Sequence, residues 1–187
     1  MGNREDLLAG ARQCLFDKGY ARTTVRDIAT ASGVSMAAIG YHFGSKEALL
    51  TAALTEATEE WGDRLARTVT ATEPSLDPLR RFASHWDAIR ESVTADRGLW
   101  AATFDALSHP ETRAQLAQRT EDARAGLARL FEGDEEDDAG RSVGALYQAL
   151  LIGIAAQSLI DGETAPSGSE LAEGLRRITG VRDAAPE

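Results

Sequence analysis

Few side chains in this 187-residue sequence could do chemistry, and they are scattered. The three histidines, His42, His85 and His109, fall on separate helical stretches and imply no metal site. No His-Glu-x-x-His zinc helix, Gly-x-Ser-x-Gly elbow or glycine-rich phosphate loop occurs, and Cys14 has no histidine close to it in sequence. The sequence therefore predicts neither an enzyme nor a cofactor. Cys14 falls on the apolar face of a helix, so a core thiol is expected rather than a redox sensor. What remains is a recognition pattern. Ser32-Gly33-Val34-Ser35 is a tight turn between two short helical stretches. Val25, Ile28, Ala29, Val34, Ile39 and Phe43 supply apolar positions that hold such a pair at a fixed angle. That is a helix-turn-helix, whose second helix is narrow enough to enter a DNA major groove about 12 Å wide.

The elements that must position this unit read as helices throughout, without sustained period-two alternation. A first helix covers roughly 4–18, short helices follow over 25–31 and 36–42, and a long one runs from 46 to about 70. Thr24 with Asp27 forms a capping-box-like start, and Ser35 can cap the next helix. Helices are also expected from Pro78 to about Val93 and over 98–107, 111–131, 141–160 and 169–179. The acidic run 134–138 reads as a solvated loop, and the tail after Gly180 should fray. The expectation is an all-α chain of about nine helices: a DNA-binding head at 1–46 and a regulatory and dimerisation body at 47–187. Hydrophobic residues at 43% suffice for a sizeable core.

Net charge is −10, which speaks against a polyanion partner until it is split. Residues 1–50 hold six Lys/Arg against five Asp/Glu, whereas residues 51–187 hold fourteen against twenty-five. An acidic body confines phosphate contact to the amino-terminal end. No basic stretch followed by an apolar run opens the sequence, and the lone cysteine suits a reducing compartment, so a cytoplasmic protein is expected.

The run from Gly19 to Leu50, with Thr23-Thr24-Val25-Arg26-Asp27-Ile28-Ala29, Ser32-Gly33-Val34-Ser35 and Tyr41-His42-Phe43-Gly44-Ser45-Lys46, closely resembles the TetR family of bacterial transcriptional regulators. The resemblance implies a homodimer that reads a near-palindromic operator and is released when a small molecule enters the carboxy-terminal domain. By position it places Thr24, Tyr41, His42 and Lys46 near phosphates. It places Arg26, Met36, Ala37 and Ala38 close to bases, with Ser35 at the start of the groove-facing helix. Hydroxyls, a helix amino terminus and a lysine suit phosphate. Gly40 stands where the family often has Tyr, and Met36, Ala37 and Ala38 replace more polar residues. Readout is therefore expected to lean on Arg26, Tyr41 and DNA shape. Tyr41 could instead be a packed aromatic, and His42 could cap the helix it ends. An architectural DNA protein without an effector is the alternative reading.

In the body, Trp61, Phe82, Trp86, Trp100, Phe104 and Tyr147 could line an effector cavity or simply fill the core. His85, Asp105 and Gln148 are the nearest polar groups for orienting a ligand, and a rim position is equally open to His85. An apolar, ring-containing effector is expected, and the acidic body argues against a multiply anionic one. Trp61 lies about 22 Å along one helix from Lys46, so a ligand forcing a tilt there could spoil groove register. Residues 143–160 are apolar nearly all round, too short and diluted for a membrane span, and must be covered. A second copy of the chain is the expected cover, through Ala145, Ala149, Ile152, Gly153, Ala156 and Leu159.

Overall fold

The computed structural model describes residues 3–71, 75–132, 138–162 and 164–180. Among them are ten α-helices and no strand. The head comprises α1 (Asn3–Lys18), α2 (Val25–Ser32) and α3 (Met36–Phe43), and α4 (Lys46–Ala71) leads from it into the body. There follow α5 (Pro78–Ala95), α6 (Arg97–Ala106), α7 (Pro110–Gln118), α8 (Thr120–Glu132), α9 (Asp138–Ile160) and α10 (Gly168–Thr179). The extra helix arises because the helix expected over 111–131 divides at Arg119. There the Arg119 N–H bonds back to the Leu116 carbonyl at 3.1 Å, tightening the last turn of α7, while the guanidinium pairs with Glu59 of α4. Residues 134–137 of the acidic run, and the tail after Gly180, lie outside the described residues; Asp138 opens α9.

Gly33 ends α2 in the left-handed region at φ 69°, which a residue with a Cβ rarely adopts, and so makes the turn possible. Gly10 lets α1 and α2 touch: a Cβ there would lie 2.8 Å from the Ser32 backbone nitrogen. Leu7, Ala11 and Leu15 of α1 bury against Ile28, Ile39, Leu49 and Leu50 to form the core of the head. The expected capping box is present, with Asp27 Oδ2 accepting from the Thr24 N–H at 3.0 Å and from its hydroxyl at 2.7 Å. Lys18 Nζ reaches the other Asp27 oxygen at 2.5 Å. These bonds, the lysine's first, hold the Asp27 carboxyl well below its ordinary range.

Head and body meet along α1, through the Arg12–Glu60 ion pair and the packing of Phe16 at Gly98, and around Tyr20. Tyr20, 1% exposed, donates or accepts at Thr112 Oγ1 (2.8 Å) and Thr51 Oγ1 (3.3 Å), and the His109 ring packs 4.5 Å from it. Nearby, the Ala21 N–H donates to Asp105 Oδ2 at 3.0 Å. Within the body, α9 buries Tyr147, Leu151, Ile154 and Ala155 against α8, α5 and α6. Its stretch Gly140–Ile160 is long and apolar enough to cross a membrane by length and composition alone. Its opposite face keeps Leu146, Ala149 and Ile152 in solvent, the last 46% exposed. Ala145, Gly153 and Ala156 are half-buried; Leu159 packs on the core rather than on that open face.

Two substitutions test this account of the head. Gly10→Ala should lower stability by about 1–3 kcal/mol through overpacking against Ser32, despite the better helix propensity of alanine. Gly40→Ala meets nothing within 4 Å and should instead gain up to about 1 kcal/mol; urea midpoints at unchanged slope report both. Because the folded Asp27 pKa is depressed, the stability it contributes is full above the unfolded value of about 3.9 and is lost as pH falls toward the folded one. The advantage of the wild type over Asp27→Asn should therefore be constant near neutral pH and shrink below about pH 4 in pH-dependent denaturation.

Candidate nucleic-acid interface and ligand cleft

The turn after α2 presents α3 by one edge. Ile39, 2% exposed, anchors it to the head, with Ala38 and Phe43 leaning on the same core. The other side faces solvent: Met36 is 56% exposed, Tyr41 is 86% exposed, and Ala37, Gly40 and His42 are also open. Ser35 caps α3 by its backbone position, but its hydroxyl makes no cap hydrogen bond; the first turn closes through the Ala38 N–H to the Ser35 carbonyl, 3.0 Å. His42 does not cap α3 either. The Gly44 N–H to the Gly40 carbonyl does that, and the His42 ring stands edge-on to Tyr41 with centroids 4.9 Å apart. Arg26, exposed on α2, meets no carboxylate among the described residues. Tyr41 is no packed aromatic; it is exposed, as are Met36, Ala37 and Arg26.

Two of the expected phosphate contacts are turned to internal use. The Thr24 hydroxyl is committed to Asp27 on both its donor and acceptor sides. Lys46 Nζ donates to the Thr23 carbonyl at 3.1 Å and lies 3.4 Å from Glu47 Oε1, with 23% of its side chain exposed. Lysine carries three N–H donors, so one remains for an outside acceptor. Cys14 is buried, and burial is the first cause pushing its thiol up, which fits an inert core residue.

The body holds a cleft of about 210 Å³ where α5, α8, α9 and α10 converge. Phe82, Trp86, Phe131 and Tyr147 form its ring-rich wall, with centroid separations between 5.0 and 6.4 Å. His85 and Arg81 line it as well, beside Pro78, Leu79 and Leu175. Four of the nine expected ligand residues thus come together here: Phe82, His85, Trp86 and Tyr147. The others are employed elsewhere. Trp61, 4% exposed, and Trp100 form a closed edge-to-face pair at 5.0 Å in the core, and neither buried indole N–H has an acceptor among the described residues. Phe104 packs on that core. Asp105 clamps the Ala21 N–H, and Gln148 accepts from Arg124 Nε at 2.9 Å. The lever through Trp61 accordingly loses its contact with the cleft. Arg81 and Phe131 escaped the sequence reading. Arg81 stands four residues before His85 on α5, a spacing that could have flagged it, whereas Phe131 ends a charged helix beside the acidic run.

Residues 7–53 match the model of a family described as bacterial regulatory proteins, tetR family. A probable transcriptional regulator, ArpR of Pseudomonas putida, is 41% identical over 76 residues, covering 41% of this chain and 35% of ArpR. The matched stretch thus spans about a third of that relative's length. The transcriptional regulator BetI of Stenotrophomonas maltophilia is 32% identical over 123 residues, covering 65% of this chain and 62% of BetI. Among solved structures, the multidrug binding protein EbrR complexed with imidazole aligns over 98% of this chain and 92% of its own, with TM-score 0.69 and 22% identity. The fatty acid degradation regulator FadR of Bacillus halodurans covers 98% of both chains with TM-score 0.66 at 16% identity. Those two likenesses establish a shared all-helical fold over nearly the whole chain. The helix-turn-helix is thus similar in sequence to the tetR family of bacterial regulatory proteins, and the chain as a whole shares the all-helical fold of these structures.

Proposed function

We propose that this chain is a ligand-responsive transcriptional repressor. As a homodimer it covers a palindromic operator in double-stranded DNA, and a small, largely apolar effector in the α5/α8/α9/α10 cleft releases it. The observation that carries the reading is the open face of α3, held over a fully packed head by Ile39 and Gly33. A helix whose exposed side carries Met36, Ala37, Gly40 and Tyr41 presents methyls, a bare backbone and one phenol to a groove. In this reading Arg26 and Tyr41 discriminate and position, Ala38 flanks the bases, and Ser35 and His42 meet the sugar-phosphate chain. Thr24 shapes the amino end of α2, and Lys46 holds that turn while offering its remaining N–H to a phosphate.

The dimer follows from the open face of α9, where small residues let a second backbone approach closely and Leu146 and Ile152 supply apolar area. α10 of each chain, with Ile178 exposed, completes a four-helix contact.

Selection of bound DNA from a random pool should recover an inverted repeat whose half-sites lie about one helical turn, or a small multiple of it, apart. Recovery of unrelated sequences instead would favour an architectural role and overturn the repressor reading. Against the selected site, Arg26→Ala should cost about 1–3 kcal/mol and alter base preference. Tyr41→Phe should weaken all sequences alike, and Lys46→Ala should lower the salt slope by about 1. Ile152→Asp would place an unpaired charge in the interface and should leave monomers at micromolar concentration in sedimentation. A monomeric wild type under the same conditions overturns the dimer.

A further inference from the structure

We propose that the effector cleft takes a small aromatic monocarboxylic acid, with Arg81 pairing its carboxylate. The inference rests on the reading of this cleft as the effector site. Ring-walled clefts suit apolar rings and also organic cations, which sit over aromatic faces. Arg81 decides between them. It lines the cleft half-buried, and among the described residues it forms no ion pair. Among the described residues, the carboxylates at the start of α5 and on the facing helix α10 have partners of their own. Asp77 accepts from the Leu79 N–H at 2.9 Å and pairs with Arg80 at 3.5 Å. On α10, Glu170 is bound to Ser167, and Glu173 is held by Arg176 at 2.7 Å and Arg177 at 2.6 Å.

A cation entering the cleft would meet a guanidinium that no carboxylate among the described residues pairs with. A neutral ring would desolvate that guanidinium without replacing its water. A carboxylate supplies two acceptors to the planar fork while its ring stacks among Phe82, Trp86, Phe131 and Tyr147. Size narrows the class further. An apolar cavity of about 150 Å³ is known to admit benzene, so 210 Å³ fits one ring bearing a short acidic arm. A single arginine in an acidic body matches one negative charge and no more.

Calorimetric titration of the full chain with 3-phenylpropionate, 3-phenylpropionamide and 3-phenylpropylammonium tests this directly. The acid should bind at least ten-fold more tightly than the amide, with the ammonium weakest. Arg81→Gln should bring the acid down to the level of the amide and leave the amide unchanged. Arg81→Lys should restore part of the preference, because it returns the charge without the fork. If the amide or the ammonium binds as tightly as the acid, or if Arg81→Gln leaves the acid-to-amide ratio intact, the carboxylate inference is overturned while the cleft still stands as a ligand site. If none of the three binds, the cleft reading fails and the inference fails with it.

Discussion

The phenol of Tyr20 sets the relation between the head and everything after it. Its oxygen lies in the interior, where an unpartnered hydroxyl would carry a desolvation cost of roughly 1–3 kcal/mol. Relief comes from two threonines on different helices, Thr51 of α4 and Thr112 of α7, which also lie 3.2 Å from one another. Thr51 in turn donates to the Glu47 carbonyl at 2.9 Å, so the cluster is keyed to the helical register of α4. The hydroxyls of Tyr20 and Thr112 meet these partners only when the end of α1, the first turns of α4 and the start of α7 occupy one relative position. A small polar network in a dry interior therefore acts as a locating pin, which apolar contacts alone, being non-directional, would not supply.

From that pin the rest of the joint follows. Asp105, at the end of α6, accepts the Ala21 N–H only a step from Tyr20, so α6 grips the same turn from another side. Phe16 of α1 lies against α6 at Gly98, and α6 packs on α4, α5 and α9. The helices that carry the cleft wall are thus one packing step from the helix that clamps the head. In the proposed regulator, an effector would act by favouring a placement of α5 and α9 that α6 can follow only by straining this clamp. Such a ligand shifts the balance no further than its own differential affinity for the two arrangements. The rod of α4 still links the two ends of the molecule, but the body holds the head by its flank as well as through that rod.

The sequence disclosed the head well because its signals are local. A capping box, a glycine turn and apolar spacing are set within a few residues, and Thr24, Asp27, Gly33 and Ile39 stand as that spacing requires. The cleft was half legible for the opposite reason. Helical periodicity says that Trp61, Trp86 and Trp100 are inward, yet nothing in it separates a wall from a core. Trp61 and Trp100 close on each other, while Trp86 stays at a gap completed by Phe131 and Tyr147 from distant segments. Asp105 looked like a ligand group because it sits among aromatics; its true partner is a backbone N–H 84 residues earlier. The break at Arg119 was equally hidden, since the ion pair with Glu59 that accompanies it spans 60 residues.

The chemistry of the α3 face constrains what kind of reader the head can be. Arginine discriminates bases through paired donors, and asparagine and glutamine through a donor and an acceptor, and α3 offers none of them. Met36 and Ala37 can meet thymine methyls, and Gly40 leaves open space where a side chain would otherwise stand. A bare helix can sit deeper in the groove than one carrying large side chains. Closer backbone approach strengthens contacts to phosphate and makes binding sensitive to groove width. In the proposed regulator, directional readout would be left to Arg26 on α2 and to the phenol of Tyr41, both exposed. Discrimination between operators by the proposed regulator would rest on few hydrogen bonds and on how readily the DNA adopts the required shape. In the proposed dimer the exact placement of the two heads would then matter more than any single base contact, and the buried hydroxyls at Tyr20 position the head on the body within each protomer.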